Sequence, residues 1–461
     1  MWERGHTPDG CAFRNRLKPR TGRGSGRCRG FPLFERRIYS LSTAGAAGPG
    51  FLTRSDGGFA CRGFLPERTE NPPVPAETGS AGFAGDGIGR TTKRVRPFFS
   101  QLCRSCGEPV SDVLTSSATA TGPGPEPAFA RSPVRTPALG FLGVGWIGRH
   151  RMEAIVNGGF GTVAAIADTS QEMIAAAKQT APDAQVVDGL DGLLALGLDG
   201  IVIATPSAMH AEQSIRALQS GTAVFCQKPL GRTADEVRAV VDAARTADRL
   251  LEVDLSYRFT EGMRAIRERV ERGDLGRIYA VDLVFHNAYG PDKPWFYDPA
   301  LSGGGCVMDL GVHLVDLAMW TLGFPAATDV SARLFAGGEP LAAAPDRCED
   351  YASALITLEG GTAVQLACSW KVSAGQDAVI GASFYGTSGG AALRNVGGSF
   401  YDFTAEAYRG TSRETLATPP DEWGGRAAAD WARRLGEGER FDPSAERLID
   451  VAGVLDRIYG R

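Results

Sequence analysis

Asp309 and His313 stand four residues apart in a stretch of helical character, Gly305 to Leu322, so an α-helix would carry both side chains on one face, one turn apart. A carboxylate beside an imidazole suits proton transfer, because an unperturbed imidazole pKa of about 6.5 lies near working pH. Oxidising a secondary alcohol needs a base of that kind for the hydroxyl proton while hydride leaves the same carbon. His313 would be the base, and Asp309 would hold its ring or bind a substrate hydroxyl. A third group, Lys228, follows the apolar run Thr222-Ala223-Val224-Phe225-Cys226, where an ammonium could bind the reacting oxygen. Each residue also has an ordinary reading. Lys228 before Pro229 could be a loop residue, and Asp309 with His313 a helix pair worth a few tenths of a kcal/mol, roughly. Asp316, a turn further on, adds a potential metal ligand, but one His and two Asp on consecutive turns form a thin set, and no metal is expected.

The elements that must position these groups begin at Pro137. Ala138-Leu139-Gly140-Phe141-Leu142 reads as a buried strand and leads directly into Gly143-Val144-Gly145-Trp146-Ile147-Gly148. An amphipathic segment runs on to about Asn157. The second apolar run, Thr162 to Ala167, ends in Asp168. Strand, glycine-rich turn, helix, strand and acid in this order define a dinucleotide-binding unit. Gly143 would permit the tight turn, Gly145 the approach of the pyrophosphate, and Gly148 the packing of helix on strand. The amides of the turn and of Trp146 and Ile147 would face the phosphates. Asp168 would accept hydrogen bonds from the adenosine ribose and repel a 2′-phosphate, which favours NAD over NADP. The ordinary reading of Asp168 is a helix N-terminal acid. Alternation continues through Gly200 to Ala204, the turn Thr205-Pro206-Ser207, a helix to about Leu218, the strand before Lys228, a helix over 233–247 and a strand over 250–254. The expected class is therefore α/β, with a Rossmann domain over 136–257. Ligands of such sheets sit beyond the carboxyl ends of the strands, where Lys228 falls.

Composition narrows the rest. The chain has 461 residues and a net charge of -4, but residues 1–135 carry about 20 Lys/Arg against 11 Asp/Glu, leaving about 29 against 42 beyond. The acidic remainder argues against nucleic acid as a partner. No run of apolar residues reaches membrane-spanning length. Nine scattered cysteines fit reduced thiols and a cytoplasmic enzyme better than a disulfide framework. Cys103 and Cys106 form a single CxxC without the second pair a zinc site needs. Residues 1–135 are rich in Arg, Gly, Pro and Ser and lack a sustained period. They read as a disordered extension or as a start assigned too far upstream, with translation beginning near Val134. Arg36-Arg37 faintly resembles a twin-arginine signal, but Gly48-Pro49-Gly50 breaks the run that follows.

From 137 onward the sequence resembles the Gfo/Idh/MocA family of oxidoreductases. The resemblance rests on the turn at 143–148, Ala204-Thr205-Pro206 with His210, Cys226-Gln227-Lys228-Pro229-Leu230, and Gly303-Gly304-Gly305 leading to Asp309 and His313. It implies that Lys228, Asp309 and His313 are catalytic, that Lys228 and His210 lie near the cofactor, and that Thr205 and Pro206 border it. The family usually has Glu where this chain has Gln227, a change that bears on how Lys228 is held. It also implies an α+β domain over 258–461 with a large open, mostly antiparallel sheet, through which homodimers or homotetramers form. Strand-like runs at 276–286, 351–358, 362–370 and 378–385 agree independently. The expected activity is hydride transfer between NAD(P) and a hydroxyl or keto carbon of a cyclic polyol, sugar or sugar derivative. Two rivals are an NAD-dependent glycosidase using transient redox and a non-catalytic NAD(H) sensor. Tyr257, Arg258, His286, Asn287, Tyr289, Trp295 and Tyr297 lie in segments suited to a sugar pocket, and Glu349-Asp350 either touches substrate or simply precedes a strand.

Overall fold

The computed structural model describes residues 135–342 and 346–461. The expectations for residues 1–134, with Arg36-Arg37, Cys103 and Cys106, lie outside the described residues.

Continuous apolar runs form the first sheet, because parallel strands covered by helices on both faces need no polar alternation. Its strands are β1 (Ala138–Leu142), β2 (Thr162–Ala167), β3 (Gln185–Val186), β4 (Gly200–Ile203), β5 (Ala223–Cys226) and β6 (Leu251–Val253). Between them lie α1 (Trp146–Asn157), α2 (Gln171–Thr180), α3 (Gly189–Leu194), α4 (Ser207–Gln219) and α5 (Ala234–Ala247). All the pairings are parallel, in the order β3-β2-β1-β4-β5-β6. The order reverses between β1 and β4, which opens a crevice at their carboxyl ends.

After α6 (Glu261–Glu271) the pattern changes to period-two alternation. Strands β7 (Ile278–Asn287), β8 (Ala327–Ala336), β9 (Glu339–Pro340), β10 (Tyr351–Leu358), β11 (Ala363–Ser369), β12 (Ala378–Gly386), β13 (Gly390–Asn395), β14 (Phe403–Arg409) and β15 (Ser412–Ala417) form one sheet. Its order is β15-β14-β13-β12-β7-β11-β10-β8-β9, antiparallel except for β7 beside β11. In β10, Ala352, Ala354, Ile356 and Leu358 point inward while Leu355 points out, as one solvated face requires. A Rossmann-type parallel sheet followed by a mostly antiparallel one is the expected class.

Helices cover the inner face of this second sheet. The four-residue α7 (Pro299–Ser302) precedes the glycine run, and α8 (Val312–Thr321) is apolar almost all round, so it is buried almost all round. The expected continuous helix from Gly305 is corrected here: Val307–Gly311 forms a π-helical turn before α8 begins. Hydrophobic periodicity cannot reveal one extra residue per turn where nearly every residue is apolar. Two late helices, α9 (Arg426–Gly436) and α10 (Arg447–Tyr459), return to the first sheet. Trp431 of α9 packs on Phe225 of β5 at 5.7 Å between ring centroids, and α10 lies against both α5 and β8. Among the described residues no helix is long and apolar enough to cross a membrane.

Candidate active site

The crevice begins with the glycine turn. Gly143 has φ +86°, and a Cβ there would meet the Ala204 carbonyl oxygen at 2.6 Å, so only glycine fits. Gly145 faces open space, and α1 starts behind it without a side-chain cap, leaving the amides of Trp146, Ile147 and Gly148 in need of partners. Amides aimed at open space at a helix start are the donor set a pyrophosphate needs. The Asp168 carboxylate, at the end of β2, accepts the Val144 amide at 2.8 Å and the Ser170 amide at 2.8 Å. The cap of α2 is Ser170, whose hydroxyl accepts the Met173 amide at 3.3 Å, so the capping role does not fall to Asp168. A half-exposed carboxylate with no cation bonded to it among the described residues suits ribose hydroxyls. This arrangement fits a dinucleotide.

The turn after β4 carries Thr205 and Pro206. His210 on α4 is 1 % exposed, which removes the reading of a surface histidine. Its ring nitrogens lie 2.7 Å from the carbonyls of Thr205 and of Pro229, so it ties the turn after β4 to the segment bearing Lys228. Burial lowers its pKa, although both hydrogen bonds act in the other direction.

Lys228 and Asp309 come together across the crevice. The Lys228 ammonium donates to Asp309 Oδ1 at 2.7 Å and to the Asp309 carbonyl at 2.7 Å. The indole Nε1 of Trp370, just beyond β11, donates to Asp309 Oδ2 at 3.1 Å. His313 stands on the next turn, 7 % exposed, with its ring 4.9 Å from that of Tyr257. Its Nδ1 is buried without a hydrogen-bond partner among the described residues. Burial, then the nearby charges of Lys228 and Arg151, push its pKa well below the usual imidazole value, so the ring is neutral. The expectation that Asp309 holds this ring is corrected. Both carboxylate oxygens are engaged elsewhere, and the π turn carries Asp309 off the i, i+4 row.

A second buried cluster lies behind. Arg151 Nε donates to Asp254 Oδ2 at 2.6 Å, and the Gln227 amide donates to the same oxygen. Arg151 and Asp254 side chains are 6 % and 1 % exposed. The amide at 227 thus bonds Asp254, while Lys228 bonds Asp309. Of the other pocket candidates, Arg258 is committed to Asp316 and to the faces of Trp320 and Phe324. Asp316 is therefore engaged in an ion pair. Tyr297 packs on Trp370 at 5.5 Å, and the Lys371 ammonium lies 4.6 Å above its ring. His286 stacks on Tyr351 on the sheet and bonds Ser369 at 2.8 Å. Trp370, Arg151 and Asp254 were not among the sequence candidates. For Trp370, an aromatic donor at the carboxyl end of a strand run was the available signal; Arg151 and Asp254 offered none.

Fold and site together define an oxidoreductase scaffold of the dinucleotide-binding kind. Residues 138–255 match the oxidoreductase family with NAD-binding Rossmann fold, and residues 263–392 match the GFO/IDH/MocA C-terminal domain. The chain belongs to the Gfo/Idh/MocA family of oxidoreductases. It is 31% identical over 211 residues to D-glucoside 3-dehydrogenase of Escherichia coli K12, covering 44% of this chain and 60% of that one. Inositol 2-dehydrogenase of Leifsonia xyli is 30% identical, with 53% of this chain and 70% of that one covered. The chain thus spans somewhat under two thirds of the first of these relatives. Among solved structures, levoglucosan dehydrogenase in complex with NADH and levoglucosan aligns with TM-score 0.61 at 21% identity, over 70% of this chain and 96% of that one. At that identity the likeness is one of fold.

Proposed function

We propose that this chain transfers hydride reversibly between NAD and a hydroxyl or keto carbon of a cyclic polyol, sugar or sugar derivative, with NADP the less favoured cofactor. The observation that carries the reading is the Lys228–Asp309 pair beside a buried, neutral His313 whose Nδ1 has no partner, at the carboxyl ends of the parallel strands. Relatives named for dehydrogenation of glucosides and inositol support the substrate class. Bound nicotinamide would accept the hydride from the carbinol carbon. Neutral His313 takes the hydroxyl proton as the C–O bond becomes C=O. Lys228 donates a hydrogen bond to that oxygen and polarises the carbonyl in the reverse direction. Asp309 keeps Lys228 aimed. Gly143, Gly145, Trp146, Ile147 and Gly148 would hold the pyrophosphate, Asp168 the ribose, and Thr205, Pro206 and His210 the wall of the crevice.

The same proposal divides the chain into a nucleotide-binding part, 136–257, and a substrate-binding part, 258–461. Exposed Tyr279, Leu355 and Tyr385 on the outer sheet face support a homodimer or homotetramer formed there. Free thiols at Cys226, Cys306, Cys348 and Cys368 support action in the cytoplasm. The test follows absorbance at 340 nm with NAD or NADP over a panel of inositols, aldoses and ketoses. Lys228→Met should lower kcat by about 100-fold or more while NADH affinity holds. Undiminished turnover in that variant would remove Lys228 from the reaction.

A further inference from the structure

We propose that Glu349 is a positioning residue, which fixes the π turn bearing Asp309 and thereby sets the Lys228–Asp309 pair. The inference rests on the catalytic reading above only for its functional consequence.

The turn from Gly305 to Gly311 begins a helix, and its first amides have no intrahelical acceptors. Glu349, 44 residues away in sequence, supplies them. Its Oε2 accepts the Gly305 amide at 2.9 Å, its Oε1 the Val307 amide at 2.8 Å, and its own carbonyl the Cys306 amide at 3.0 Å. Three consecutive amides thus end on one distant residue. Such close approach requires glycine, since a Cβ on Gly305 would lie 1.9 Å from the Glu349 carbonyl oxygen.

Glu349 is 0 % exposed, so its carboxylate needs further partners. The Tyr459 hydroxyl, at the end of α10, donates to Oε1 at 2.9 Å. Burial still pushes the Glu349 pKa up against these bonds. The adjoining residue completes the arrangement: the Asp350 carbonyl accepts the Trp370 amide at 2.7 Å, and the Trp370 indole donates to Asp309. One dipeptide therefore holds both the turn that carries Asp309 and the donor that orients its carboxylate. Asp309 in turn holds Lys228 through two bonds. Glu349 hydrogen-bonds Gly305, Cys306, Val307 and Tyr459 rather than Lys228 or Asp309, and acts through the turn.

The experiment reads this without a substrate. Pulsed acetic anhydride labelling with mass spectrometry reports the free-amine reactivity of each lysine in the full chain. In Glu349→Gln, one acceptor becomes a donor facing an amide, and the turn shifts. Lys228, less firmly held by Asp309, should then be acetylated several-fold faster, while Lys293 and Lys371 keep their rates. Tyr459→Phe, which removes a single donor to Glu349, should move Lys228 the same way by a smaller factor. With any sugar that the wild type oxidises, kcat should fall in both variants while NADH affinity is kept. Trp370→Phe combined with Glu349→Gln should cost less than the two separately, because both act through Asp309. A Lys228 rate that is unchanged, or that rises only together with those of Lys293 and Lys371, overturns the proposal. If Glu349→Gln does not fold, Tyr459→Phe decides by the same criterion. A wild-type chain that oxidises no sugar would defeat the dehydrogenase reading and leave the labelling contrast standing.

Discussion

Asp254→Asn is an almost shape-preserving change whose cost follows from the surroundings of one charge. Arg151 and Asp254 meet at 2.6 Å with side chains 6 % and 1 % exposed, and Asp254 Oδ1 has no partner among the described residues. Two unit charges about 4 Å apart attract by about 4 kcal/mol at an effective dielectric constant near 20. Removing one member leaves the other ionised in a place that solvates it poorly, a loss of about 3–5 kcal/mol for buried pairs. The asparagine keeps one acceptor for Arg151, so the lower end, about 3 kcal/mol, is expected. At about 2–4 °C per kcal/mol for a domain of this size, melting should fall by about 6–12 °C. Urea unfolding followed by circular dichroism measures the loss. Arg151→Met should destabilise by a similar amount, and the double variant should recover more than half of the summed cost, because no orphan charge remains. A single Asp254→Asn loss below about 1 kcal/mol, or full additivity in the double variant, would refute the argument.

Two further outcomes follow from the same site. Asp168→Ser should raise the ratio of NADP to NAD affinity by about tenfold as the like charge facing a 2′-phosphate disappears, and fluorescence titration of NADH and NADPH checks it. His313 has its pKa pushed well below the usual imidazole value by burial, so it is neutral in the native chain. Below an unfolded-state pKa of about 6.5, the unfolded chain binds its proton first, and stability falls as the pH drops from that point. His313→Asn should flatten the slope by up to about 1.4 kcal/mol per pH unit in urea midpoints between pH 6.5 and 5. Equal slopes would show that the ring is already charged in the native state.

The first sheet was legible because its signal is local. Five apolar runs bracketed by turns, with Asp168 twenty residues beyond Gly148, occur within one stretch of chain. Lys228, Asp309 and His313 were legible by type and position. Their partners were not, since Trp370 lies 61 residues from Asp309 and Arg151 103 residues from Asp254. No periodicity records contacts of that range. Glu349 was visible only as an acid ahead of a strand, and its role needed the amides of Gly305 and Val307 to be placed against it. The π turn was hidden for a different reason: in Val307 to Leu317 almost any helical winding buries apolar residues, so the pattern does not discriminate.

The return of the late helices to the early sheet has a consequence for how the chain can be divided. Ala427, Ala428, Trp431, Ala432 and Leu435 of α9 share one core with Leu139, Phe141 and Phe225. The indole of Trp431 fills the space above Gly200, where a Cβ would meet it at 2.6 Å. A fragment cut after β6 would carry every glycine of the dinucleotide turn yet expose the floor on which α9 sits, and such a bare apolar surface invites self-association. Genetic transplantation of the nucleotide-binding half would therefore have to bring α9 along, and an insertion between the two is tolerated only where it leaves the route back open.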